Sequence, residues 1–169
     1  MSNKVSLRRF YDNDAEAIMR ICNDEDVQRY LLLSLLPYTT ENARQFIKYT
    51  RDSQINGGEQ CFAITLDGKV IGCISYTIQS GCKSNSATIG YYIGKDYWHS
   101  GYMPKAVALI IEKVFENEGI HRIFAEIFAE NTASARVLEK CGFTLEGILR
   151  KGIIKNGVEH DAKLYAFVR

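Results

Sequence analysis

The spacing of apolar residues divides the chain into short periodic segments. Val5 to Phe10 predicts a strand, and Asp12 or Asp14 is placed to cap a helix through about Cys22 with Ile18, Ile21 and Cys22 on its apolar stripe. Asn23 to Tyr38 has no period and reads as irregular, although Leu31, Leu32, Leu33, Leu35 and Leu36 make it unusually apolar. Thr39 or Thr40 caps a second helix with Ala43, Phe46, Ile47 and Thr50 on one face. Gln60 to Leu66 and Val70 to Ile78 flank Asp67-Gly68, a hairpin signal because both turn positions need positive φ. Ser86 to Ile93 is a strand whose interior Gly90 predicts a bulge or a close approach by a ligand. A helix follows from about Met103 to Glu118, with Ala106, Val107, Ile110, Ile111, Val114 and Phe115 at buried-face spacing and Gly119 as its stop. His121 to Ala129 reads as a strand, Asn131 caps a helix through Lys140, and Gly142 ends it. Phe143 to Lys155 and Val158 to Val168 close a second hairpin around Asn156-Gly157. The order βααβββαβαββ calls for an α/β (α+β) fold: a mixed, mostly antiparallel central sheet with helices on both faces.

Composition narrows the function classes. The 169 residues fit one domain, and no repeat, low-complexity stretch or linker divides them. Lys and Arg number 21 against 20 Asp and Glu, so the basic field that drives non-specific nucleic-acid binding is missing. The greasiest run, Tyr30 to Tyr38, is interrupted by Ser34 and Pro37 and falls far short of the roughly 20 residues of a membrane span. The N-terminus MSNKVSLRRF has no secretory pattern, which points to the cytosol. Cys22, Cys61, Cys73, Cys82 and Cys141 form no CxxC pair and read as reduced thiols, most of them buried. His99, His121 and His160 lack metal-ligand spacing, so no metal is expected.

Two segments carry chemistry. Tyr97 to Ala106, YWHSGYMPKA, joins the Gly90 strand to the long helix and presents helix-start N–H groups to an anion. Pro104 sits in the first turn, where a missing N–H costs nothing, and no acid lies between Asp96 and Glu112 to satisfy the dipole from within. Alone, this spacing equally describes a plain helix start, and neither GxxxxGK[ST] nor GxGxxG is present. The second segment, Glu130 to Phe143, is ENTASARVLEKCGF.

Together the two segments resemble the GNAT acetyltransferases over essentially the whole chain, in particular the branch of Rim-type ribosomal-protein N-terminal acetyltransferases. Trp98, Gly101 and Met103 stand at the three positions of the family's Q/R-x-x-G-x-G/A loop, the first and last departing from it. Tyr97-Trp98, Gly101-Tyr102 and Ala106 match the branch variant YWxxGYxxEA, with Lys105 replacing its acid. Asn131, Ser134, Lys140, Gly142-Phe143, Glu146-Gly147, Asn156-Gly157, Asp161 and Tyr165 follow the branch pattern in order. Asp161 and Tyr165 read as structural residues of the last strand rather than catalytic ones.

The resemblance implies a GNAT fold with a splayed, bulged strand at Gly90 and acetyl-CoA, hence coenzyme A, as cosubstrate. It places the pyrophosphate on Trp98, His99, Ser100, Gly101, Tyr102 and Met103, the pantetheine on Tyr91, Tyr92 and Ile93, and the thioester beside Asn131 and Ser134. The family's usual tyrosine acid is replaced by Leu138 and the branch's strand acid by Thr88, so Ser134 and Asn131 are the candidates for assisting the thiolate and Glu126 for a base. A surface or ion-paired role for Glu126 stays open. The implied activity is N-acetylation of a primary amine, most readily a protein N-terminus. A polyamine or antibiotic acetyltransferase and a catalytically silent acyl-CoA sensor remain alternatives, as do a monomer and a homodimer. The run Leu31 to Leu36 is expected to pack over the acetyl end as an apolar wall that disfavours highly charged acceptors.

Overall fold

Two dipeptides held at positive φ set two hairpins of the sheet: Asp67 and Gly68 at 47° and 88°, and Asn156 and Gly157 at 50° and 77°. These are the turn conformations whose twist matches paired strands. The computed structural model describes residues 4–32 and 35–169. Among these residues the strands are β1 (Val5–Arg8), β2 (Gln60–Leu66), β3 (Lys69–Ile78), β4 (Ser86–Ile93), β5 (Arg122–Phe128), β6 (Thr144–Lys155) and β7 (Val158–Val168). The α-helices are α1 (Ala15–Cys22), α2 (Glu25–Arg29), α3 (Thr40–Ile55), α4 (Tyr102–Phe115) and α5 (Thr132–Lys140). The sheet order is β1-β2-β3-β4-β5-β7-β6. Its pairs are antiparallel apart from β4 with β5, which are parallel because the α4 crossover joins them.

Alternation along the strands separates two cores. Ile64, Ile74 and Ile123 face α4 and α5, where they meet Val107, Ile110 and Leu138. Ala63, Cys61 and Cys73 face the other way, against Ile18 of α1 and Ala43 and Ile47 of α3. Each fully buried Ile or Leu contributes about 1.5–3 kcal/mol, so the two layers fix which strand face each helix covers.

The segment expected to be irregular contains α2, whose N-cap Asp24 accepts the N–H groups of Asp26 at 2.9 Å and Val27 at 3.2 Å. A helix of this length has no periodicity to read. The first strand ends at Arg8 rather than Phe10, because a 3-10 turn over Asp12–Asp14 takes the chain into α1. In that turn the Asp14 carboxylate accepts the Tyr11 N–H at 2.8 Å.

The splay lies between β4 and β5. They pair only at Ser86↔Arg122, Ala87↔Ile123 and Thr88↔Phe124. Beyond that, β4 continues on β3 and β5 on β7, leaving a wedge between residues 89–93 and 125–128. The expected bulge at Gly90 is absent: the β3–β4 register runs through Ser75↔Gly90 without a shift. The opening arises because the neighbouring strand departs, which makes Gly90 a space-leaving residue rather than a distorted one. Register shifts occur elsewhere, including one in β6 between Leu149 and Ile153, within which Lys151 stands at φ 56°. Its N–H donates to Asp161 Oδ1 at 2.8 Å, and the buried Tyr165 donates to Glu139 Oε1 at 2.8 Å. Asp161 ties β7 to β6 and Tyr165 ties β7 to α5, structural roles in line with their sequence positions.

Candidate active site

The wedge opens into a cavity of about 420 Å3. Ile89, Gly90, Tyr91 and Tyr92 form one side and Ala125, Glu126, Ile127 and Phe128 the other, while Asn131 and Ser134 stand at its α5 end. Leu31 and Leu32 join the wall, supported where Lys155 Nζ donates to the carbonyl oxygens of Gln28, Arg29 and Leu31 at the end of α2. Among the described residues of the expected leucine wall, those two line the cavity. Leu33 and Ser34 lie outside the described residues, and Leu35 and Leu36 are exposed, Leu35 on a separate shallow groove beside α3.

Asn131 caps α5, its Oδ1 accepting the Ser134 N–H at 3.1 Å. This leaves the Ser134 hydroxyl toward β4, where it lies 2.9 Å from the Tyr91 hydroxyl. Burial pushes the Tyr91 phenol well up, with the Ser134 bond opposing, so at neutral pH it holds its proton. Leu138, at the position where the family places a tyrosine, is fully buried in the core. A phenol nevertheless reaches the first turn of α5, from β4 instead of from the helix. The sequence marks Tyr91 only as a backbone position and misses its hydroxyl. Tyr92 points to the opposite face, packed against the cluster that contains Cys22.

The loop before α4 has part of the geometry expected of it. Gly101 is the N-cap at φ 74° and contributes no capping side chain, and the first turn of α4 holds no acid. An added Cβ at Gly101 would meet nothing within 4 Å. The Trp98 N–H, expected among the anion-binding amides, is instead donated to the Lys95 carbonyl at 3.0 Å. Its indole Nε1 donates to the Ile93 carbonyl at 3.0 Å, so that oxygen of the β4 edge is also engaged. His99 adopts φ 58° and the Ser100 hydroxyl donates to the Trp98 carbonyl at 3.2 Å. His99, Ser100, Gly101, Tyr102 and Met103 remain as candidate amides.

On the α1/α3 face of the sheet the structure adds a residue the sequence does not signal. Glu59 precedes β2 and lines the cavity, accepting the Ser75 hydroxyl at 2.6 Å on Oε1 and the Tyr49 hydroxyl at 3.0 Å on Oε2. Glu126, exposed but on the rim of the same cavity, projects from the β5 face that also carries Phe128. The wall is therefore not purely apolar. Cys22, Cys61 and Cys73 also line it, buried. Burial raises the Cys22 thiol to about 11, and the neighbouring Cys61 thiol, ahead of burial, raises Cys73 well above its ordinary value. Among the described residues no group of three or more His, Cys, Asp or Glu is arranged to hold a metal ion, and no helix is long and apolar enough to cross a membrane.

Comparison with known proteins places this geometry. A family model described as an acetyltransferase (GNAT) domain matches residues 4–144. The N-acetyltransferase YoaA of Bacillus subtilis (strain 168) is 30% identical over 169 residues, spanning 99% of this chain and 95% of its own. RimJ of Mycobacterium smegmatis, solved in complex with CoA-disulfide, is 26% identical and superposes with a TM-score of 0.88 over 97% of this chain and 81% of that one. The microcin C7 self-immunity acetyltransferase MccE, solved with acetyl-CoA and AMP, superposes at 0.90 over 99% and 94% with 23% identity, a likeness of fold.

Proposed function

The chain belongs to the GNAT acetyltransferases and is an N-acetyltransferase, and from that premise we propose that it moves the acetyl group of acetyl-CoA directly to a primary amine, foremost the N-terminal amine of a ribosomal-type protein substrate. It would do so as one domain in the cytosol. The observation that carries this reading is the wedge itself: one edge of β4 loses its strand partner after Thr88, beside the Tyr91–Ser134 pair. A free strand edge offers N–H and C=O groups to a peptide-like ligand, as an added strand would.

The residues fit the cosubstrate in three places. The acid-free start of α4, with Gly101 leaving its approach clear, suits a pyrophosphate on the amides of His99 to Met103. The free edge of Ile89 to Tyr92 suits the pantetheine amides. Bound acetyl-CoA supplies an acyl thioester. Asn131 orients Ser134, and Ser134 with the Tyr91 phenol holds a proton available to the departing sulfur. Glu126, on the cavity rim, is the candidate to accept a proton from the amine.

The likeness to YdaF of Bacillus subtilis (strain 168), a relative named as a ribosomal N-acetyltransferase and 26% identical over 100% of this chain, supports a protein acceptor. The cavity's modest volume favours the second reading, a small-molecule amine. Release of free thiol from acetyl-CoA would be measured with peptides bearing free N-termini, the same peptides N-blocked, and polyamines. Turnover confined to free N-termini supports the first reading, turnover confined to polyamines the second. Absence of turnover with every amine, by a protein shown to bind acetyl-CoA, overturns both.

A further inference from the structure

The cavity is lined by two carboxylates, Glu59 and Glu126, and by a buried amide, Gln28. Gln28, 4% exposed, lines it and donates Nε2 to the Cys22 carbonyl at 2.7 Å. Its Oε1 has no partner, and it is the only buried side-chain polar atom in that position among the described residues. Exchanging the two amide atoms would set oxygen against the Cys22 carbonyl, so the amide orientation is determined. A buried, unpaired carbonyl is costly and therefore points to a missing donor.

The same cavity contains the Glu59 carboxylate. Ser75, which also lines the cavity, and Tyr49, which does not, each donate a hydroxyl to it, one on each oxygen, which fixes the group and leaves further lone pairs on both. Ser75 is paired with Gly90, and on this face Gly90 contributes no side chain beside it. Across the wedge Glu126 stands two residues beyond the last bonded pair, as Gly90 does on its own strand. Among the described lining residues there is no Lys, Arg or His. Two carboxylates and no cation make a surface that lacks positive charge, with the orphan carbonyl carried by the buried lining residue Gln28 and walls supplied by Tyr30, Leu31, Leu32 and Phe46.

We propose that this cavity binds the acetyl acceptor as a cation, a primary ammonium on an apolar stem, with Glu59 as its counter-charge and Gln28 Oε1 as an acceptor for one of its N–H groups. The proposal rests on the reading of the wedge as the acceptor site and deepens it by naming the recognition chemistry. Gln28 and Glu59 are specificity-determining residues here. An anionic acceptor is excluded by the same two carboxylates that attract an ammonium.

The test titrates the full chain, loaded with coenzyme A, with phenethylamine, protonated at neutral pH, and with 2-phenylethanol, its uncharged counterpart. Calorimetry is expected to show the amine binding at least about 10-fold more tightly than the alcohol, since charge-assisted bonds are the stronger ones. Glu59→Gln is expected to weaken the amine about 10-fold and leave the alcohol and coenzyme A unchanged. Gln28→Met, which removes the orphan acceptor, weakens the amine several-fold while folding normally. Should Glu59→Gln not fold, Ser75→Ala, which frees the carboxylate without removing its charge, is expected to weaken the amine by about 5-fold. Equal affinity for amine and alcohol, or unchanged amine affinity in the variants that fold, overturns the proposal. A wild-type chain that fails to bind coenzyme A overturns the parent reading instead, and the same titrations on the unloaded chain then decide this one.

Discussion

The hydroxyls of Tyr91 and Ser134 lie 2.9 Å apart, joining the free edge of β4 to the first turn of α5. Neither belongs to the other's neighbourhood in sequence. The contact exists because the parallel crossover through α4 lays β5 and the helix that follows it alongside β4.

Because the two hydroxyls act through one contact, losing either removes most of their joint effect. Ser134→Ala is expected to lower kcat by about 10- to 1,000-fold and to change the KM for acetyl-CoA less. Tyr91→Phe is expected to lower kcat within the same range, and the double variant to fall clearly short of the product of the two losses. Steady-state thiol release with the best acceptor checks this. A Ser134→Ala enzyme with full kcat would remove the pair from the mechanism.

Gly101 stands at φ 74° with open space where a Cβ would project. Gly101→Val therefore carries a backbone penalty of about 1–2 kcal/mol and meets no steric clash in the protein itself. A lowered melting temperature is expected, together with coenzyme A binding weaker by at least about 10-fold in calorimetry, because the new side chain enters the anion's approach. Wild-type affinity in a folded Gly101→Val protein would show that the pyrophosphate lies elsewhere.

The Arg8 guanidinium meets Asp14 through both oxygens, at 2.7 and 2.9 Å. Burial pushes the Asp14 carboxyl up, yet the Arg8 and Tyr11 hydrogen bonds and the Arg8 charge outweigh it and hold it below its ordinary value. A group depressed in the folded state binds its proton more readily when unfolded. Its stabilisation is thus complete above the unfolded carboxylate range, near pH 4, and is lost as pH falls through the lower folded value. Asp14→Asn is expected to cost about 1–3 kcal/mol at pH 7 and to flatten the acid limb of stability measured by urea unfolding from pH 7 to 3. An unchanged acid limb would assign the acid sensitivity to other carboxylates.

Direct transfer to the amine requires that no cysteine carry the acetyl group. Cys22 and Cys73 line the cavity with thiols raised by burial and by neighbouring groups, the opposite of an activated nucleophile. Intact-mass and peptide spectrometry after incubation with acetyl-CoA alone is expected to show no acetylated cysteine. A stoichiometric adduct on either residue would require a covalent route.

Local chemistry made some elements readable and left others silent. Asp67-Gly68, Asn156-Gly157, the Asn131 cap and Gly142 each state their conformation within a few residues, and each occurs as expected. Gly90 illustrates the limit. A glycine in a strand signals room, but whether a bulge or a departing neighbour provides it depends on β5, more than thirty residues later. Trp98 also matches its motif position, while its amide is consumed by Lys95. The Glu59, Ser75 and Tyr49 cluster is invisible in the sequence because α3, the approach to β2 and the middle of β3 each supply one member, in no recognisable spacing.

A ladder of three residue pairs joins β4 to β5, and with them the two halves of the sheet, across its centre. Mechanically this is one sheet built as two leaves on a short hinge, with the helices as its outer clasps. A molecule seated along the wedge adds backbone bonds where the leaves part, and so works as a seam between them. Ligand occupancy should therefore set how cooperatively the leaves unfold, and hydrogen exchange at residues 89–93 and 125–128 should slow together when the seam is filled.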